Sequence, residues 1–340
     1  MSSSLPEHRS VGTVTASVIM ACYNEEGNIP ELHKRLTSVL ANQVDAYELI
    51  FVENGSLDGS GALLQRLAAE DPHVVVLGLS RNFGSQAAFS AGLASASGDV
   101  AILMDGDLQD PPDLIPEMLT HWQQGYDVVY GVRTDRLGVG PLTGAGYKLF
   151  YRVLRRTSYI QVPEDAGDFS LLDRRVVNVL NNLPERDRFL RGLRAWAGFR
   201  QIGVPYVRQA RGSGITTNSF MDNVNWAVKG LFSFSFFPLE MISKIAFALT
   251  MLALVGALYF IVLHFTTHTP AGFSSLIVVM LVLGSIQLAA LGVLGRYLAH
   301  IYVEVKQRPP YVIEYVRNLR GLTADAQPIE FHAASRDPQD

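Results

Sequence analysis

The chain has 340 residues, enough for about two domains, and its 28 basic and 32 acidic side chains give a formal net charge of −4 and a pI near 6.1. That balance lacks the basic footprint of a nucleic-acid binder, and a single cysteine, Cys22, excludes an intramolecular disulfide and a cysteine-rich zinc site. Only 18% of residues are charged and the mean hydropathy is +0.17, high for a water-soluble chain, so apolar character is concentrated somewhere.

Residues 1–14 are polar and Ser-rich and read as a flexible leader without the long apolar core of a signal peptide. Short apolar runs then alternate with amphipathic stretches. Residues 16–21 read as a strand, and 29–40 as a helix with Leu32, Leu36, Val39 and Leu40 on one face. Strands at 47–52, 74–79, 100–104 and 128–131 are separated by helices at 59–69, 85–96 and 114–123. This alternation predicts an α/β fold with a mainly parallel sheet and flanking helices, whose ligands sit beyond the carboxyl ends of the strands.

The polar clusters fall at those ends. Tyr23-Asn24-Glu25-Glu26 follows the first strand and Glu53-Asn54-Gly55-Ser56 the second. Gly55 permits a tight turn, and Ser56 or Asp58 suits a helix cap. Glu25 and Glu53 stand where carboxylates can accept from a nucleobase N–H or ribose hydroxyls. Arg81-Asn82-Phe83-Gly84 follows the third strand, a cation beside a glycine turn that suits a pyrophosphate or braces a carboxylate. After the fourth comes Asp105-Gly106-Asp107-Leu108-Gln109-Asp110-Pro111-Pro112. Asp105 and Asp107, two apart on an extended end, point the same way. Two hard oxygen ligands suit Mg²⁺ or Mn²⁺, which keeps open positions for substrate phosphates.

The apolar excess lies in residues 245–265, which carry no acidic or basic side chain apart from His264, and in 272–295, which carry none. Both exceed the roughly 20 residues that span a hydrocarbon core, and both are apolar on all faces. Lys244 precedes the first, Arg296, Lys306 and Arg308 follow the second, and residues 266–271 between them carry no Lys or Arg. By the positive-inside bias, the large N-terminal part and the C-terminus face the cytoplasm. Residues 223–237, with Trp226, Leu231, Phe232, Phe234, Phe236 and Phe237, read as an interfacial helix, and 297–305 as a second.

Together the ordered segments at 18–26, 79–84 and 105–112, with Tyr130-Gly131-Val132-Arg133, Asp165-Ala166-Gly167-Asp168-Phe169 and Arg188-Phe189-Leu190-Arg191-Gly192, resemble the polyprenyl-phosphate glycosyltransferases. This is the family of dolichol-phosphate mannose synthase and the bactoprenol glucosyltransferases. The resemblance continues through Gly203-Val204-Pro205-Tyr206 to Lys306-Gln307-Arg308-Pro309 and covers nearly all of residues 15–315. It implies a cytoplasmic GT-A domain over 15–220, a juxtamembrane interfacial helix over 221–241 and a two-helix transmembrane hairpin over 242–296. A C-terminal interfacial helix and tail over 297–318 and a flexible tail over 319–340 complete the expected order.

The implied reaction is inverting transfer of a sugar from a nucleoside-diphosphate donor to a polyprenyl phosphate, undecaprenyl or dolichyl, at a bilayer. Asp105, Asp107 and Gln109 would hold Mg²⁺ or Mn²⁺ against the donor diphosphate, and Tyr23, Glu25, Glu53, Arg81 and Asp105 would line the nucleotide-sugar pocket. Asp168 is the family's candidate base, although a phosphate monoester is mostly dianionic at neutral pH and needs positioning more than deprotonation. Arg133, Arg208 and Arg211 are the candidates for holding phosphate, since guanidinium groups grip it bidentately.

The sequence departs from the family pattern at three places. Ala21 replaces a proline, Glu53-Asn54 replaces a pair of aspartates, and no lysine-aromatic pair occurs near Thr216-Thr217-Asn218. UDP-glucose is the first-choice donor by analogy, with GDP-mannose and an inactive membrane scaffold as alternatives. A homo-oligomer assembled through the membrane part is expected.

Overall fold

The computed structural model describes residues 14–134, 166–208, 237–266 and 272–318. Arg211, residues 216–218, most of the juxtamembrane stretch, the leader before residue 14 and the tail after 318 lie outside them.

The first half alternates strand and helix: β1 (Thr15–Cys22), α1 (Ile29–Leu40), β2 (Ala46–Glu53), α2 (Ser60–Glu70), β3 (Val74–Leu79), α3 (Ser85–Ser95) and β4 (Val100–Asp105). A 3₁₀ turn at Pro112–Leu114 leads into α4 (Ile115–Gln123), followed by β5 (Val128–Arg133). Each element expected between residues 16 and 131 is present, its ends within two residues of the prediction. Beyond them lie β6 (Ala166–Asp173), α5 (Arg174–Asn182), α6 (Leu190–Trp196) and β7 (Gln201–Tyr206).

Eight strands form one sheet in the order β7-β5-β6-β4-β1-β2-β3-β8, where β8 is Ile313–Arg317. Its centre, β4-β1-β2-β3, is parallel, but β6 runs antiparallel to both β4 and β5, and β8 antiparallel to β3. The sheet is therefore mixed. Central strands buried on both faces explain the near-continuous apolar runs seen in the sequence. On one face Val18, Met20 and Phe51 pack with Leu32 and Leu36 of α1, Leu64 of α2 and Met118 of α4. On the other, Ile19, Ile50 and Leu77 pack with Phe89 of α3, Val177 of α5 and Leu193 of α6. Alternate residues of one strand thus feed two cores.

Two long helices follow: α7 (Phe237–Thr266), 30 residues, and α8 (Phe273–Lys306), 34 residues. Among the described residues one stretch, Val282–Lys306, is long and apolar enough to cross a membrane, with a mean hydropathy of 1.4. Residues 297–305, expected to be helical, are so as a continuation of α8. Nothing breaks the helix after Gly295, so α8 runs unbroken to Lys306, where Gln307 (φ 50°) and the two prolines that follow end it. The chain then returns to the sheet as β8.

Gly78 makes that return possible. An ideal Cβ there would stand 2.1 Å from Cε1 of Tyr315, its partner across the β3–β8 ladder. Gly78→Val is expected to displace the ring and lower stability by about 1–3 kcal/mol in chemical denaturation. An unchanged midpoint would show that β8 adds nothing to the sheet.

Candidate active site

Register aligns the site. Cys22 pairs with Glu53 and Ala21 with Asp105, so β1, β2 and β4 end level. In the antiparallel β4–β6 ladder Leu103 faces Ser170, and two further residues in that register bring Asp105 level with Asp168. Carboxylates 63 positions apart in sequence thus end on adjacent strands.

At the end of β4 the chain turns sharply, with Leu108 in the left-handed region (φ 61°) and the Gln109 amide donating to Asp107 Oδ1 at 3.1 Å. Asp107 is 6% exposed and Asp110 1%. One Asp110 oxygen accepts the Asp105 amide at 3.3 Å, and the other accepts the Tyr206 hydroxyl at 2.7 Å. Arg133 Nε donates to that hydroxyl at 3.3 Å, and Gly167 leaves room for the guanidinium: a Cβ there would lie 3.3 Å from Nη2. Burial, then Asp110, Asp107 and Asp168, push the Asp105 carboxyl upward, against the pull of Arg208. Arg208 Nη2 stands 3.9 Å from Asp105 Oδ2 and 4.0 Å from Asp107 Oδ2, too far for hydrogen bonds. Negative charge is therefore crowded here, with Arg208 facing both carboxylates at ion-pair distance.

That crowding fits a divalent cation. Among the described residues no three His, Cys, Asp or Glu side chains converge in a metal-holding group. Two carboxylates, Asp105 and Asp107, with Gln109 beside them, would leave most of the shell to water and donor phosphate, as Mg²⁺ prefers.

Asp168, on β6, has a different environment. Arg191 of α6 grips both its oxygens, Nε to Oδ1 at 2.9 Å and Nη2 to Oδ2 at 2.8 Å. Burial alone would raise its pKa, but Arg191, with Arg194 behind it, holds the carboxyl below the usual carboxylate range. Arg194 is itself 3% exposed, lies 5.1 Å over the Tyr130 ring, and is pushed down to about 10 by burial and by Arg191.

At the ends of β1 to β3 the predicted nucleotide residues are held by neighbouring loop residues. Glu53 Oε1 accepts the Ser56 amide, and Glu25 Oε2 accepts from the Asn28 side chain. Ser56 receives the Asn24 amide at 3.0 Å rather than capping α2, whose N-cap, Gly59, has no side-chain cap. Asp58 does accept the Ser60 amide at 3.0 Å. Asn54 gives the altered Glu53-Asn54 pair a physical reason. Its amide nitrogen donates to Asn82 Oδ1 at 3.2 Å while its oxygen accepts the Phe83 amide at 3.0 Å, and an aspartate cannot do both. Gly55 (φ 71°) closes this junction, since a Cβ would strike the Arg81 backbone at 2.5 Å. Arg81 stacks over Phe83 at 4.0 Å and, among the described residues, braces no carboxylate. Tyr23 is half-buried at the end of β1. Cys22 is fully buried, and burial with Glu25 and Glu53 nearby pushes its thiol up, so it stays neutral.

The structure thus joins Asp105, Asp107, Asp168, Arg133 and Arg208 in one cluster and sets Tyr23, Glu25, Glu53 and Arg81 beside it along the strand ends. Residues missed as organisers are Asp110, Tyr206, Arg191 and Arg194. Asp110, Arg191 and Tyr206 lie inside segments singled out by resemblance, whereas nothing local marked Arg194.

The model of glycosyl transferase family 2 matches residues 17–180. An uncharacterized glycosyltransferase of Synechocystis sp. is 40% identical over 311 residues, covering 91% of this chain and 98% of that protein. The chain belongs to glycosyl transferase family 2. Within it, the bactoprenol glucosyl transferase of Shigella phage SfII is 37% identical over 299 residues, 88% of this chain and 97% of that one. Among solved structures, a mannosyltransferase from Pyrobaculum calidifontis in complex with GDP-Man and Mn²⁺ is 16% identical, covers 89% of each chain and superposes with a TM-score of 0.45, too distant to bear on chemistry.

Two outcomes follow from this glycosyltransferase's charge arrangement. Asp105→Asn relieves the crowding, so the metal-free variant should melt a few degrees above wild type, a gain of roughly 1 kcal/mol, and lose the stabilisation that Mn²⁺ gives wild type. Scanning fluorimetry with Mn²⁺ or EDTA checks both. The Asp168 carboxyl is depressed in the folded state, so its contribution is complete above the ordinary carboxylate pKa and is lost as pH falls through the lowered value. The stability gap between wild type and Asp168→Asn, followed by urea denaturation, should shrink on acidification; a constant gap would sink the ion-pair account.

Proposed function

We propose that this protein is a metal-dependent inverting glycosyltransferase. It moves a sugar, glucose first, from a nucleoside diphosphate to a polyprenyl phosphate at the cytoplasmic membrane face. The observation that carries the reading is the cluster in which Asp105 and Asp107 stand level with Asp168, ringed by Arg133 and Arg208. Relatives named bactoprenol glucosyl transferase, matched over nearly their whole length, support the acceptor class.

In this reading Asp105, Asp107 and Gln109 hold Mg²⁺ or Mn²⁺, which supplies Lewis-acid stabilisation of the leaving nucleoside diphosphate. Glu25, Glu53 and Tyr23 shape the nucleotide side, and Arg81 is near enough to its rim to meet a pyrophosphate. Arg208 faces the carboxylate pair and is suited to the donor diphosphate. Arg133, and Arg211 beyond the described residues, supply charge for the acceptor. Asp168, ionised and gripped by Arg191, is a weak proton acceptor, so its role is to orient rather than to deprotonate an acceptor already dianionic.

The long helices α7 and α8 form the transmembrane hairpin, with both ends on the cytoplasmic side. Leu252, Leu258, Leu288 and Leu291 are each more than 60% exposed, surface suited to acyl chains or to a second copy in a homo-oligomer.

Labelled UDP-glucose, GDP-mannose and other UDP-sugars, each offered with polyprenyl phosphate and Mn²⁺, should yield organic-phase label from one donor. EDTA should abolish it, and Asp107→Ala should lower it by about 10²-fold or more. Asp168→Asn should cut kcat without moving the acid limb of the pH–rate profile; disappearance of that limb would restore the base role. Absence of transfer from every donor by folded protein in lipid would favour the scaffold alternative.

A further inference from the structure

The end of α8 touches the catalytic domain at one polar junction. At 1.5 Å per residue, 34 residues reach about 51 Å, well beyond a hydrocarbon core of roughly 30 Å. Glu304 lies nine residues after Gly295, so it stands roughly 13 Å beyond the uncharged stretch. Both its oxygens accept the Arg186 amide at 3.0 Å, and Oε1 also accepts the Asp187 amide at 3.2 Å. One turn earlier on the same face, His300 Nδ1 is 3.5 Å from Asp187 Oδ2. The amides belong to the loop between α5 and α6, which has no ladder to supply partners. A carboxylate taking two backbone N–H groups is a charge-assisted clamp.

What the loop leads to gives the clamp its meaning. Arg188, next in line, is 9% exposed and donates to the Leu180 and Leu183 carbonyls. The Leu190 amide donates to Gln86 Oε1 at 2.8 Å, and Arg191 then reaches both oxygens of Asp168. A continuous run of contacts joins the last turn of α8, through residues 186–191, to the carboxylate level with Asp105.

We propose that Glu304 is a positioning residue: by clamping the Arg186 and Asp187 amides it fixes the loop that seats Arg191 against Asp168, and so sets the active-site carboxylate from the membrane-side helix. The catalytic consequence rests on the function proposed above; the clamp itself does not. A loop freed at its far end lets the first turn of α6 shift, and displacements near 1 Å at a reacting centre are costly.

The test uses full-length protein in nanodiscs and the variants Glu304→Ala, Glu304→Gln and Glu304→Asp. Hydrogen exchange at residues 186–187 should rise in Glu304→Ala and spread to 190–193, while exchange in β1 and β4 stays unchanged, showing that the fold is intact. Glu304→Gln, which keeps one acceptor oxygen, should fall between. Transfer should lose about tenfold in kcat in Glu304→Ala, with donor KM unchanged and partial recovery in Glu304→Asp. Faster exchange confined to 186–187 with kcat intact would overturn the proposal, as would amides equally protected in every variant. If wild type transfers no sugar, the function reading fails separately, and the spread of exchange to 190–193 still decides the clamp.

Discussion

Crowded negative charge at the end of β4 is the constraint on which the rest of the site depends. Asp105, Asp107 and Asp110 fall within six residues at a strand end, Asp107 and Asp110 buried and Asp105 part-exposed, and buried Asp168 joins them from the next strand. Such a cluster is tolerable only if positive charge or hydrogen-bond donors meet it. The protein meets it unevenly. Asp110 is satisfied by Tyr206 and the Asp105 amide, and Asp168 by Arg191. Asp105 and Asp107 face Arg208 at 3.9 and 4.0 Å, beyond hydrogen-bond reach. Two convergent carboxylates beside one guanidinium are an arrangement suited to a divalent cation.

The fold produces this inequality. Parallel strands β1, β2 and β4 end level, so their following loops gather at one edge of the sheet. The antiparallel β6 then carries a carboxylate to the same edge from a distant part of the chain. Arginines come from the other side, on β5, α6 and the end of β7. The loops after β1, β2 and β3 are locked through Asn24, Asn54 and Ser56, short polar side chains that can donate or accept as the backbone demands. Rigidity there comes from hydrogen bonds rather than from apolar packing.

The two long helices lie in sequence between β7 and β8, strands of one sheet. The sheet is therefore complete only after the apolar helices have been made, and the last strand covers an edge that would otherwise be open. Tethering at both ends restricts how a catalytic domain can sit relative to those helices, and the contact at Glu304 places one such restriction beside the site.

Much of this was legible in the sequence. Apolar runs of period two and amphipathic stretches of period 3.6 located every element through β5, because each is stabilised by local pattern plus burial on a known face. The pairing of Asp105 with Asp107 was legible for the same reason, since residues two apart on an extended chain share a direction. That residues 297–305 continue the preceding helix was not legible, because a change from uncharged to charged side chains resembles a boundary although no residue there breaks a helix. β8 escaped because five residues at a sheet edge carry too short a pattern to stand apart from a tail. Which carboxylates are crowded together, that Asn54 must be an amide, and that Asp168 is already paired were decided by tertiary structure alone. Those properties depend on distances between segments scores of residues apart, and only the register of the assembled sheet sets such distances.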